Sequence, residues 1–114
     1  MRRVSRLDDL SGVYEGVQAQ IEYFAPITGF NITAGFKTNN LILEPAGTLA
    51  TGTVTMPEAK TNGQTFSISS TQIITALTIT PNSGQTVRGT ITTLAANSFA
   101  SWVYRAANST WYRK

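Results

Sequence analysis

The stretch "TQIITALTIT", Thr71 to Thr80, decides how the chain is read. Threonine and isoleucine dominate it, and β-branched side chains favour a pleated strand over a helix. Strict alternation places Ile73, Leu77 and Ile79 on one face and Ile74 and Ala76 on the other. Apolar residues on both faces mark a strand covered on both sides.

Working outward, "GTLATGTVTMP" alternates Thr51, Thr53 and Thr55 with Gly52, Val54 and Met56, one polar face against one apolar face. "FNIT", "NLILEP" and "QTFSISS" read as further short strands bounded by glycine, asparagine and proline. "PEAKTNG" is a turn, and its Asn62-Gly63 pair is a strong hairpin signal. "PNSGQT" turns the chain after Thr80, and "VRGTITTL" reads as another strand. Two echoes stand out: "TNGQTF" and "NSGQTV" share Gly-Gln-Thr, and "AANS" occurs at Ala95 and again at Ala106. Two copies are fewer than a stacked-repeat architecture requires, so the echoes read as hairpins reusing one turn chemistry.

The composition fits this texture. The chain has 114 residues, enough for one small domain, with 41% hydrophobic but only 13% charged residues. Every threonine lies at Thr28 or later. Cysteine and histidine are absent, which removes disulfides, thiolate chemistry and the commonest general base and metal ligand. The basic start "MRRVSR" has no apolar stretch behind it, so no export is expected, and no run is long and apolar enough to span a membrane. The net charge is +3, and from Thr61 onward the charges are Arg88, Arg105, Arg113 and Lys114. Four cations so widely spaced are a weak footprint for nucleic acid, which is not an expected partner.

Residues 1–27 differ from the rest and are read as an N-terminal arm, with residues 28–114 as the β-rich module. Within the arm Leu7, Leu10, Tyr14, Val17, Ile21 and Phe24 recur at coiled-coil spacing, but Gly12 and Gly16 oppose a helix. The arm is therefore expected to be extended or partly helical near Leu7, then a strand through "GVQAQIEYF" that Pro26 ends.

Chemistry-bearing groups are few. Asp8 and Asp9 are adjacent acids of the kind that cap helices or face solvent. Glu44 and Glu58 are the remaining candidates for a carboxylate pair, with nothing else marking a cleft. No enzyme activity, cofactor or metal is expected. "NIT" at Asn31 and "NST" at Asn108 match the glycosylation triplet, with no export signal to bring them into use. The end of the chain, "FASWVYRAANSTWYRK", reads as two strands joined by "AAN", so that Trp102, Tyr104, Trp111 and Tyr112 pack across one hairpin with Arg105 and Arg113 beside them. A second reading leaves these rings exposed as a ligand platform or interface.

The segments "PAGTLATGTVTMP" at Pro45 to Pro57, "GQTFSISSTQIITALTITPNSGQTV" at Gly63 to Val87 and the ending "YRAANSTWYR" resemble a β-structured module of tailed-bacteriophage virion proteins. Such modules occur in head-decoration or head-fibre proteins and at the ends of tail fibres, commonly as trimers, and the resemblance implies no catalytic residues.

The combined expectation is an all-β fold, a small antiparallel β-sandwich or barrel-like domain with an arm, forming a homotrimer. Its role would be a structural virion protein, a capsid decoration or head fibre that contacts the major capsid or other virion proteins, assembled in the host bacterial cytoplasm. Arg2, Arg3, Arg6, Asp8 and Asp9 would dock the arm to the particle. The alternative is a tail-fibre tip or receptor-binding module, with a host surface glycan stacked on exposed Trp102, Tyr104, Trp111 or Tyr112.

Overall fold

The computed structural model describes residues 20–114, and the docking residues proposed in the arm, Arg2 to Asp9, lie outside them. Among the described residues nine strands form: β1 (Ile21–Phe24), β2 (Phe30–Thr33), β3 (Asn40–Leu43), β4 (Leu49–Thr55), β5 (Thr65–Ser70), β6 (Ile74–Thr80), β7 (Thr86–Arg88), β8 (Ser98–Arg105) and β9 (Thr110–Arg113). The segments "FNIT", "NLILEP", "GTLATGTVTMP", "QTFSISS" and "TQIITALTIT" each hold an expected strand, at Phe30–Thr33, Asn40–Leu43, Leu49–Thr55, Thr65–Ser70 and Ile74–Thr80. β1 ends ahead of Pro26 as expected, but it belongs to the β-module, because it pairs with β3 along its whole length.

The pairing overturns the antiparallel sandwich. From β1 to β6 the chain alternates between two sheets, and successive visits to each sheet are parallel. β1, β3 and β5 run parallel in a six-stranded sheet of order β1-β3-β5-β8-β9-β7, while β2, β4 and β6 form a parallel three-stranded sheet. Three coils are thus stacked like turns of a solenoid: β1–β2, β3–β4 and β5–β6. The coils are unequal. Ile21 pairs with Asn40, 19 residues on, and Asn40 pairs with Ser67, 27 residues on.

Corners between the sheets explain this path. Each of the four prolines follows shortly after a strand: Pro26 after β1, Pro45 after β3, Pro57 after β4 and Pro81 after β6. Proline cannot donate to a ladder, so it ends pairing where the chain must leave its sheet. The two Gly-Gln-Thr echoes are the same corner used twice. Gly63 and Gly84 have φ of 87° and 76°, and Gln64 N–H and Gln85 N–H close their turns onto Thr61 O and Asn82 O at 3.1 and 3.0 Å. Positive φ is nearly free for glycine alone, which fixes these positions. Each corner delivers the chain from the three-stranded sheet to the six-stranded one, into β5 and β7, so neither is the hairpin that Asn62-Gly63 suggested. The corners also bond to each other: the Gln85 side-chain amide donates to Ala59 O at 2.9 Å, and Asn82 Nδ2 donates to Met56 O at 3.1 Å.

The core lies between the sheets. Leu41, Leu43, Phe66, Ile68, Ala100, Trp102, Tyr104 and Trp111 enter it from the larger sheet, and Leu49, Val54, Ile74, Leu77 and Ile79 from the smaller. Strand β6 is not covered on both sides, contrary to the expectation from "TQIITALTIT". Ile74, Leu77 and Ile79 are buried together, because Thr75 and Ala76 are both exposed and shift the alternation by one residue. Strand β4 has the same slip at Ala50 and Thr51, so the two strands stay in register, Leu49 on Ile74 and Gly52 on Leu77.

One end of the stack is closed by the C-terminal residues. β8 lies antiparallel on β5, β9 folds back on β8 as the expected hairpin, and β7 pairs with β9 in parallel. "VRGTITTL" is a strand only through Arg88. Gly89 then turns at φ 77°, and the chain crosses to the other sheet, where Leu94 exchanges two hydrogen bonds with Ile74 along the free edge of β6. The strands at the opposite edges are β1 and β2.

Candidate interaction surface

Parallel register turns the outer face of the three-stranded sheet into rows of like residues. On the three-stranded sheet one row is Thr33–Thr55–Thr80 and the next is Asn31–Thr53–Thr78. These rows are polar, and adjacent strands at ~4.8 Å bring the side chains into contact.

The outer face of the six-stranded sheet is different. Tyr23 lies beside Ile42, Ile42 beside Ser69, and Ser69 beside Phe99. Tyr23 is 61% exposed and Phe99 68% exposed. A neighbouring row runs Ile21–Asn40–Ser67–Ser101, where the Ser67 and Ser101 hydroxyls are 2.7 Å apart and hydrogen-bonded. A third row places half-buried Val103 beside half-buried Tyr112. Between Ile42 and Phe99, above the short side chain of Ser69, the surface drops into a shallow recess of about 260 Å³ that Asn97 and Ser98 help to line.

The C-terminal aromatics face the other way. Trp102 and Trp111 are fully buried and Tyr104 nearly so. Tyr104 and Trp111 are cross-strand partners with ring centroids 5.3 Å apart, and Phe66 lies 6.4 Å from both indoles. This cluster is the core under the cap. The reading that made Trp102, Tyr104 and Trp111 an exposed ligand platform is therefore corrected. The cause is strand phase: all three take the inward positions of β8 and β9, alongside Ala100. Tyr112, half-buried, takes an outward position and accepts a hydrogen bond from Asn108 Nδ2 at 2.7 Å. Arg105 is exposed where β8 meets the 3-10 turn Ala106–Asn108. The Arg113 guanidinium lies 5.8 Å from the centre of the Trp102 ring, over its face, and donates to Gly89 O at 3.4 Å.

Of the carboxylates weighed for chemistry, Glu44 is exposed and Glu58 is an exposed partner of Lys60 at 4.0 Å. Among the described residues no group of three or more carboxylates, histidines or cysteines is placed to hold a metal ion, and no helix is long and apolar enough to cross a membrane. Sequence reasoning missed the row from Tyr23 to Phe99. Its members come from four separated strands, and only the pairing of β1, β3 and β5 in parallel and of β8 antiparallel on β5 brings them together.

Comparisons with known protein families, with curated proteins and with solved structures find no match.

Proposed function

We propose that the chain is a non-enzymatic structural protein of a tailed-phage virion, a trimeric capsid-decoration or head-fibre subunit docked by its N-terminal arm. One observation carries this reading. The residues that resemble the virion module, Pro45–Pro57, Gly63–Val87 and Tyr104–Arg113, include the whole of β4, β5, β6 and β9, so the resemblance falls on both sheets and on the strand that closes the stack. The arm joins the stack at β1, the edge strand farthest from β7 in the larger sheet. Such a layout suits a subunit held at one end that projects a rigid body from the particle. A stack whose ladders are mostly parallel and whose core holds two indoles and a phenylalanine ring is an apt projecting element.

The tail-fibre-tip and glycan-binding alternative needs aromatic rings open to solvent, and the burial of Trp102, Tyr104 and Trp111 weighs against it. The test is binding to purified capsids of the phage that encodes the chain, with full-length protein compared with a chain that begins at Gln20. Cutting there spares β1, which a cut after Ile27 would delete. Full-length protein should pellet with capsids and the shortened chain should stay in solution. Equal pelleting of both would refute docking through the arm.

A further inference from the structure

We propose that the outer face of the six-stranded sheet is where copies of this chain meet, with Phe99 of one copy seated in the recess above Ser69 of a neighbour. The inference rests on the self-associating virion subunit described above and names the surface that reading leaves open.

Three observations converge on this face. First, it carries the exposed apolar side chains Ile21, Tyr23 and Phe99, 44%, 61% and 68% exposed, while the outer rows of the opposite sheet are threonine and asparagine. Solvent-facing aromatics in register across four strands form a patch of the kind that marks association surfaces. Second, the rows from Ile21 to Ser101 and from Tyr23 to Phe99 contain no charged residue. A partner selected by charge would find nothing to pair with on these two rows, whereas the same uncharged rows of a second copy are compatible with them; Arg88 and Arg105 lie on this face beyond the rows, on β7 and at the end of β8. Third, the face holds both a projection and a recess. Phe99 stands up at one end of the row, and beside it the surface falls about 260 Å³ over Ser69, because serine sits between Ile42 and Phe99. That volume accommodates a phenyl ring, and its lining, Ile42 with the side chains around Ser69 and Asn97, offers apolar contact and a polar rim. The four strands of these rows at ~4.8 Å make the uncharged part about 14 Å wide, the size of an interface core, and β9 and β7 with Arg105 and Arg88 extend the face beyond it as a polar rim.

Wild-type protein, Phe99→Asp, Ser69→Arg and Thr78→Asp are compared by sedimentation velocity over a wide concentration range. Both Phe99 and Ser69 face outward, so tryptophan emission from the buried indoles reports whether each variant is folded. Phe99→Asp removes the projection and places a carboxylate in the recess, and Ser69→Arg fills the recess. Each should lower association at least tenfold, whereas Thr78→Asp on the other sheet should sediment as wild type. If Phe99→Asp does not fold, Ser69→Arg decides alone. Folded variants that keep the wild-type assembly would overturn this contact and leave the virion reading in place. A wild-type chain that stays monomeric throughout would overturn both.

Discussion

Gly52 and Phe30 provide the sharpest test of the coil stack. They are partners across the parallel β2–β4 pair, and the Phe30 ring lies directly on the bare Gly52 backbone. A methyl group at Gly52 would stand 2.0, 2.3 and 2.6 Å from three atoms of that ring, so the ring must move. Overpacking of this kind costs about 1–3 kcal/mol. Gly52 lies within a strand and does not have positive φ, so alanine there has no backbone strain. Without the ring, glycine to alanine should stabilise by about 0.4–1 kcal/mol through the unfolded chain. Phe30 is half-buried, so Phe30→Ala should cost about 2 kcal/mol, less than a fully buried ring. The structure therefore predicts a change of sign: Gly52→Ala destabilises the wild-type protein and is neutral or stabilising in Phe30→Ala. The coupling should be at least about 1.5 kcal/mol, measured by a double-mutant cycle in urea with unchanged m-values. Effects that add within about 0.5 kcal/mol would mean that the two residues do not touch, and the parallel register of the first two coils would be wrong.

Other consequences concern the cap and the corners. Trp102→Ala removes a fully buried indole and should cost about 3–5 kcal/mol, a large share of a small domain's stability, seen as a lower urea midpoint. Trp111→Phe should cost well under half of that, because among the described residues the buried Trp111 Nε1–H has no acceptor, and a phenyl ring keeps most of the apolar contact without a donor to satisfy. Gly84→Ala forces an L side chain into φ 76° and should lower stability by about 1–2 kcal/mol in the same assay. Tryptophan emission of the native protein should be blue-shifted and poorly quenched by iodide. Emission like that of free indole in water would contradict the buried aromatic cluster.

Strand positions were legible in the sequence because β-branched or aromatic residues occur in every strand and the prolines and glycines punctuate the chain between them. The pairing was not, and the physical reason lies in which faces are covered. A one-sided apolar alternation such as Gly52-Val54-Met56 against Thr51-Thr53-Thr55 is the ordinary mark of antiparallel sheets, since parallel sheets are normally packed on both faces. Here the parallel sheets cover each other on one side only, so their strands carry the antiparallel pattern. The repeat was hidden as well. With coils of 19 and 27 residues from Ile21 to Asn40 to Ser67, no fixed period survives, and Gly-Gln-Thr at only two corners was too little to reveal it. In β6 the paired outward residues Thr75 and Ala76 broke the alternation, which made Ile73 and Ile74 look like opposite faces of a fully covered strand. The C-terminal hairpin was readable because both of its strands and its turn are contiguous. Which way its rings face was left open, because alternation fixes that two sets of residues oppose each other and not which set meets the core.

Sedimentation equilibrium of the purified full-length chain bears most directly on the proposed role. A virion ornament built from this module should appear as a single species of three times the 12.3 kDa chain mass, unchanged on dilution into the nanomolar range. A single species of 12.3 kDa at every concentration would contradict the account, since a stack that is monomeric when free needs neither the apolar face nor the three-fold assembly on which the virion role depends.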